Sequence, residues 1–239
     1  MFISVCIPTY NGEKYIQEQL VSILVQLSAE DEIIISDDSS TDATLEIIKS
    51  LQDSRIKLFE NNTFKSPIFN LENALKHASG DVIFLADQDD IWEPEKVKIT
   101  LNKLQNSDLV VSDCSLIDAS GNLVDPSFYA LNKTKSGYLN NLIKNGFLGC
   151  CIAFNSKIKK SVLPFPKKIA MHDIWIGLTA SLVGKVDFIE DKLIRYRRHG
   201  DNFSFTSAKS KFSVTYKLSY RIYFLYHTFK RLILLKSIK

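Results

Sequence analysis

The run Val82-Ile83-Phe84-Leu85-Ala86 stops at Asp87-Gln88-Asp89-Asp90. Five apolar residues without alternation read as a strand buried on both faces, the kind found inside a parallel sheet with helices on either side. Three carboxylates in four positions follow at once. So much like charge at the end of a buried strand repels itself unless a cation sits there, and a divalent ion with oxygen ligands answers that need. In open α/β sheets, ligands bind beyond the carboxyl ends of the strands, where this cluster falls. The competing reading is a solvated acidic turn in which Asp90 caps a helix that starts at Pro94.

The same arrangement occurs earlier. Residues 32–36 centre on Ile33-Ile34-Ile35 and end in Asp37-Asp38-Ser39-Ser40-Thr41-Asp42. Strands are also expected over 3–7, 55–59 and 109–112. Helical spacing places Ile16, Leu20, Ile23, Leu24 and Leu27 on one face. Further helices are expected over 68–78 and 94–105, and one carrying Leu45, Ile48 and Leu51 with Thr41 or Asp42 at its cap. This βαβα order predicts an α/β fold with a mainly parallel, twisted sheet flanked by helices. Two strands then deliver carboxylates to one edge.

The second half is less regular. A turn at Ser120-Gly121-Asn122, a glycine loop over 146–149, strands over 150–154, 185–189 and 193–197, and a helix opened by His172-Asp173 are expected. A cationic loop is expected over 195–202. Such a loop beside an acidic metal site suits a phosphorylated ligand. No Gly-Lys-Ser phosphate loop and no Gly-x-Gly-x-x-Gly is present, which disfavours ATPase and dinucleotide chemistry by those routes.

Three segments carry a resemblance: Ser4-Val5-Cys6-Ile7-Pro8-Thr9-Tyr10-Asn11, Ile35-Ser36-Asp37-Asp38-Ser39-Ser40-Thr41-Asp42 and Ala86-Asp87-Gln88-Asp89-Asp90-Ile91-Trp92. In order and spacing they resemble the signatures of family 2 glycosyltransferases, which have the A-type fold and use nucleotide sugars. The Asp-Gln-Asp-Asp variant and the segment Tyr196-Arg197-Arg198-His199-Gly200-Asp201-Asn202 look most like bacterial rhamnosyltransferase-like members. The resemblance implies that Pro8, Thr9 and Tyr10 line the base pocket and that Asp38 accepts the pyrimidine N3–H. It implies that Asp87 and Asp89 bind Mn²⁺ or Mg²⁺, Asp89 the more directly, with His199 a further ligand or diphosphate contact and Arg198 a contact to the bound nucleotide. Asp173 becomes the general base. The family usually has Glu-Asp at that position, where this chain has His172-Asp173.

The expected activity is therefore metal-dependent, inverting transfer of a sugar, rhamnose among the candidates, from a UDP- or dTDP-sugar. The acceptor is a saccharide or lipid-linked saccharide in bacterial surface polysaccharide synthesis. The alternatives are a nucleotidyltransferase, which also needs acidic metal ligands at strand ends, and an inactive scaffold of a membrane assembly.

Residues 1–205 are assigned to the A-type domain, with 1–115 the nucleotide half and 116–205 the acceptor half, and 206–239 to a helical tail. From Asn202 to Lys239 eight Lys or Arg stand without one Asp or Glu, interleaved with aromatic residues. A basic aromatic helix lies well on an anionic bilayer, but also packs on its own domain or forms a homodimer. Removal of the tail before Phe212 is expected to leave the fold intact. No nucleic-acid signature accompanies the basic tail, so nucleic acid is not an expected partner. Met1-Phe2-Ile3 leads straight into a strand without a basic n-region, and no apolar stretch reaches bilayer-spanning length. A cytoplasmic protein is expected, peripheral at the inner face of the cytoplasmic membrane if the tail binds lipid. Cys6, Cys114, Cys150 and Cys151 lack metal-ligand spacing and read as buried thiols.

Overall fold

The computed structural model describes residues 1–198 and 213–237. Its strands are β1 (Ile3–Thr9), β2 (Glu32–Asp37), β3 (Ile56–Phe59), β4 (Val82–Leu85), β5 (Ile91–Trp92), β6 (Leu109–Ile117), β7 (Leu123–Asp125), β8 (Ile152–Asn155) and β9 (Val186–Arg197). Its helices are α1 (Ile16–Leu24), α2 (Thr44–Ser50), α3 (Pro67–His77), α4 (Lys96–Leu104), α5 (Phe128–Asn132), α6 (Tyr138–Ile143), α7 (Ser156–Val162), α8 (His172–Val183) and α9 (Val214–Ser237). The strands form one sheet in the order β3-β2-β1-β4-β8-β6-β9-β5, with β7 paired to β6.

The first half is parallel. Thr9 of β1 lies opposite Asp37 of β2, and Cys6 lies opposite Leu85 of β4. Parallel neighbours in register end at one edge, so the loops after β1, β2 and β4 emerge side by side. All of β2 and all of β4 are buried, because helices cover both faces and leave no side for polar residues. On α1, Ile16, Leu20 and Ile23 are fully buried at the spacing of one helical face. Each such side chain contributes roughly 1.5–3 kcal/mol relative to exposure.

The second half joins the first through β8, antiparallel to both β4 and β6. The strand expected over 150–154 begins instead with a 3₁₀ turn at Gly149–Cys151. The two strands expected over 185–189 and 193–197 are one. Against β6 the register passes from Ser112–Ile189 to Asp113–Lys192, so Glu190 and Asp191 bulge out and stay exposed. The bulge lets a charged interruption sit inside an otherwise apolar strand. Arg195, Tyr196 and Arg197 therefore belong to β9, not to a loop.

Helix α4 begins at Lys96 with Glu95 at its cap position, so Asp90 does not start it; the intervening Ile91-Trp92 pairs with β9. The cap position of α2 falls on Ala43, not on Thr41 or Asp42; Asp42, one residue before it, accepts from the Thr44 amide at 3.0 Å. The short helices α5, α6 and α7 carry too few turns to show a periodicity in sequence. Serine and asparagine caps, Ser127 and Asn155, start two of them. The four cysteines are free and buried.

Helix α9 docks on the domain by one face. Phe224 is fully buried in the main core, and the Tyr138 hydroxyl lies 2.7 Å from the Thr228 hydroxyl oxygen. Arg221 donates to the Leu142 carbonyl at 3.1 Å, and Arg231 donates to the carbonyls of Ser161, Leu163 and Pro164. Removal of the tail would uncover the core around Phe224, so this helix is part of the fold and not a separable appendage.

Candidate functional site

Three loops meet at the carboxyl edge of β2, β1 and β4. Behind them Asp37 is fully buried and acts as a pin. It accepts from the Thr9 hydroxyl at 2.8 Å, the Ser40 hydroxyl at 2.6 Å and the Ser40 amide at 2.8 Å. Thr9 is thus turned inward, while Tyr10 is 57% exposed at the rim. Asp38 accepts from the amides of Phe64 at 2.6 Å and Ser66 at 3.2 Å, which ties the entry to α3 to the end of β2. Each carboxylate oxygen offers two lone-pair directions, so Asp38 retains capacity for another donor. Pro8 lies in the register of β1 opposite Ser36, one residue below the rim.

The acidic loop after β4 is more tightly crowded than its sequence reveals. Asp87, Asp90 and Cys150 each offer a ligand atom within 4.8 Å of the others. Asp90 is 1% exposed; its Oδ1 accepts from the Arg197 amide at 2.9 Å, and its Oδ2 has no hydrogen-bond partner. Burial, then Asp89 and Asp87, push its carboxyl well above the usual carboxylate range. Asp87 is pushed up to about 7 by burial first, then by the charges of Asp89 and Asp173. A buried carboxylate oxygen without a partner, among carboxyls that resist ionising together, fits a divalent cation. The structure thus groups Asp87 with Asp90 and Cys150, where the sequence pairs it with Asp89; Asp89 is outside this group, although its charge acts on both Asp87 and Asp90. His199 lies outside the described residues.

Cationic side chains brace this loop from behind. Arg197 donates from Nε to the Asp89 carbonyl at 2.9 Å, pairs with Glu18 at 2.6 Å and stacks 4.6 Å from the Tyr15 ring centre. Lys96 is fully buried, its Nζ 5.0 Å from the Trp92 ring centre and 3.5 Å from the Cys150 carbonyl. Burial lowers its pKa, while the Asp90 charge opposes that shift. Arg198 follows at the end of β9, its amide on the Ile117 carbonyl at 2.8 Å.

Asp173 arrives from the other half of the sheet as the second residue of α8, a helix without a side-chain cap. Its charge is among the causes that raise the Asp87 pKa, after burial and Asp89. Asn145 donates to Asp173 Oδ2 at 2.9 Å, and its side chain also pairs with the Phe147 backbone in both directions at 3.0 Å. Burial raises the Asp173 pKa; His172 and the Asn145 hydrogen bond oppose that shift. Burial also holds His172 below the usual imidazole range, while the Asp173 charge opposes that shift. The oriented amide of Asn145 favours the ionised carboxylate there.

Asn145 and Lys96 escaped sequence reasoning; Arg197, expected in a cationic loop facing a phosphorylated ligand, is instead buried against the acidic loop. Asn145 stands beside a glycine loop, where an amide reads as a turn residue. Lys96 carried no signal, because a lysine in the first turn of a helix ordinarily faces water.

The profile of "Glycosyl transferase family 2" matches residues 4–163. The chain belongs to glycosyltransferase family 2. The match spans β1, β2 and β4 with the loops at their carboxyl ends, and it leaves the nucleotidyltransferase reading without support. Among family 2 relatives, the Escherichia coli UDP-Glc:alpha-D-GlcNAc-diphosphoundecaprenol beta-1,3-glucosyltransferase WfgD is 30% identical over 164 residues, covering 69% of this chain and 64% of its own length. The fold is similar to that of S. aureus TarS 1-349 in complex with UDP-GlcNAc, with a TM-score of 0.68 and 23% identity over 89% of this chain and 62% of that one. It is also similar to the mannosyltransferase PcManGT from Pyrobaculum calidifontis in complex with GDP-Man and Mn2+, with a TM-score of 0.65 and 18% identity over 84% of this chain and 58% of that one. The chain thus spans about three fifths of the length of these proteins. Among the described residues no helix is long and apolar enough to cross a membrane.

Proposed function

We propose that this protein moves a sugar from a nucleoside-diphosphate sugar, UDP- or dTDP-linked, to a saccharide carried on a lipid diphosphate, with inversion, in the synthesis of a surface polysaccharide. The observation that carries this reading is the crowding of Asp87, Asp90 and Cys150 at the carboxyl end of β4, beside the loops after β1 and β2, in a family 2 domain. The WfgD relative, named for a UDP-Glc donor and a diphosphoundecaprenol acceptor, supports it.

In this reading residues 1–115 hold the donor and 116–205 the acceptor. Asp38 takes the pyrimidine N3–H, and Tyr10 lies against the ring, with Pro8 and Thr9 shaping the loop beneath. Asp87 and Asp89, with Asp90 and Cys150 adjoining and His199 following Arg198, would hold Mn²⁺ or Mg²⁺. Such an ion supplies positive charge against which a diphosphate departs. Arg198 contacts the diphosphate. Asp173 removes the proton from the acceptor hydroxyl as that oxygen attacks the anomeric carbon from the face opposite the leaving group. One displacement inverts that centre. The rhamnosyl reading rests on the Asp-Gln-Asp-Asp loop and the segment 196–202, whose last residues lie outside the described ones.

The test is a panel of UDP-glucose, UDP-GlcNAc and dTDP-rhamnose with Mn²⁺ and a GlcNAc-diphospho-lipid acceptor. Acceptor-dependent release of UDP or dTDP with formation of a disaccharide lipid is the expected result. Silence across the panel with authentic acceptors points to an inactive scaffold.

We also place the enzyme on the inner face of the cytoplasmic membrane through α9. The face opposite Phe224 exposes Leu218, Ile222, Leu225, Phe229 and Ile233, spaced as one helical stripe, with Lys230 and Lys236 exposed near it. No acidic residue is available on this helix to pair those lysines in a homodimer seam. The double variant Ile222→Glu, Ile233→Glu is expected to lose sedimentation with phosphatidylglycerol vesicles and to keep its thermal midpoint. Unchanged sedimentation would remove the membrane role and leave dimerisation to be read by light scattering.

A further inference from the structure

Gln88 separates the two aspartates of the acidic loop, a position where a side chain is free to face solvent. Here it does not. The Tyr10 amide donates to Gln88 Oε1 at 2.9 Å, and Gln88 Nε2 donates to the Tyr10 carbonyl at 3.0 Å. Both ends of the amide are used on the main chain of one residue, 78 positions away in sequence. That pairing mimics one rung of a sheet ladder and fixes both the height and the tilt of the loop after β1.

Gly12 belongs to the same device. A Cβ placed there would fall 2.6 Å from Gln88 Oε1 and 2.7 Å from its carboxamide carbon. A side chain at position 12 would therefore have to displace the Gln88 carboxamide from this place. The rest of the loop is held from the β2 side. The Asn11 amide donates to Ser40 Oγ at 2.9 Å, the Gly12 amide to Thr44 Oγ1 at 2.7 Å, and Asn11 Oδ1 accepts from the Thr41 amide at 2.9 Å. Gln88 supplies the corresponding tie from the β4 side.

We propose that Gln88 is a positioning residue that couples the cation site to the nucleotide loop. Its backbone lies between Asp87 and Asp89, so any movement that brings those carboxylates together is passed through a two-point amide contact to Tyr10. A cation drawn in by the aspartates sets Tyr10 for the base, and a bound base holds the aspartates in place. Coupling of this kind is reciprocal and is read as a ratio of affinities. The inference rests on the proposed donor site and adds to it the path by which its two halves communicate.

The experiment measures UDP affinity by calorimetry with Mn²⁺ and with EDTA, for the full chain and for Gln88→Met and Gly12→Ala. Methionine keeps the length of glutamine and removes both hydrogen bonds; alanine at position 12 displaces Gln88 from the other side. Mn²⁺ is expected to strengthen UDP binding to the unaltered protein, and the enhancement is expected to shrink about fivefold or more in both variants. A merely structural role would weaken both measurements alike and leave their ratio unchanged, which would overturn the coupling alone. An unaltered protein without enhancement would overturn the cation reading, and this inference with it. Thermal midpoints equal to that of the unaltered chain establish that both variants are folded.

Discussion

Asp173→Asn is expected to lower the turnover of sugar transfer by about 10²- to 10⁴-fold, the usual contribution of a positioned general base. Asparagine keeps the size and planarity of the carboxyl group. It cannot take up a proton from the acceptor hydroxyl. Asp173 sits on the second residue of a helix with ordinary backbone support, so the variant should fold. UDP affinity is expected to stay within about twofold, since Asp173 is not among the proposed contacts to the nucleotide. Unchanged turnover would remove Asp173 from the mechanism. A finer readout accompanies this one. Burial raises the Asp173 pKa, and the Asn145 hydrogen bond pulls it back. Asn145→Ala removes a donor that favours the charged form, so the acid limb of the turnover profile is expected to move to higher pH.

Asp89→Ala is expected to abolish the metal dependence of donor binding and to reduce transfer by about 10²- to 10³-fold or more, the scale on which a lost electrostatic stabiliser is felt. The loop should survive the change. Arg197 holds the Asp89 carbonyl and the Asp90 carboxylate, neither of which the substitution removes. The variant also carries a titration signature. Asp89 is the second cause, after burial, of the raised Asp87 pKa of about 7, so its removal lowers that value. In the unaltered protein Asp87 keeps its proton in the folded state up to about pH 7 and loses it near pH 4 when unfolded. Without cation this group therefore favours the fold below about pH 4, and that contribution is lost as pH rises towards about 7. Cation and proton compete for the same oxygens, so Mn²⁺ should raise the thermal midpoint more at pH 8 than at pH 6. In Asp89→Ala that difference should vanish.

The strands that frame this site were legible in sequence because each is a short apolar run that ends abruptly. Ile33–Ile35 and Val82–Ala86 lie within or run just past β2 and β4, and the carboxylates that stop them stand at one edge. The regular first half could be read by periodicity alone. The second half could not, because α5, α6 and α7 each make fewer than two full turns and β9 carries a charged bulge at Glu190 and Asp191. The supporting groups were hidden for a different reason. Arg197, Asn145 and Lys96 act through backbone and buried contacts made across long sequence separations, and no local pattern encodes those. Helix α9 has apolar residues on two faces; only the structure separates the face that buries Phe224 from the one that exposes Ile222 and Phe229.

The most direct measurement is calorimetric titration of UDP into the full chain at pH 8, above the Asp87 pKa of about 7, once with Mn²⁺ and once with EDTA. Binding that is tight with Mn²⁺, weak with EDTA, and weak in both for Asp89→Ala is the expected outcome. Equal affinity with and without the ion, or no binding of UDP or dTDP at all, would contradict a cation held between these aspartates and the donor's diphosphate.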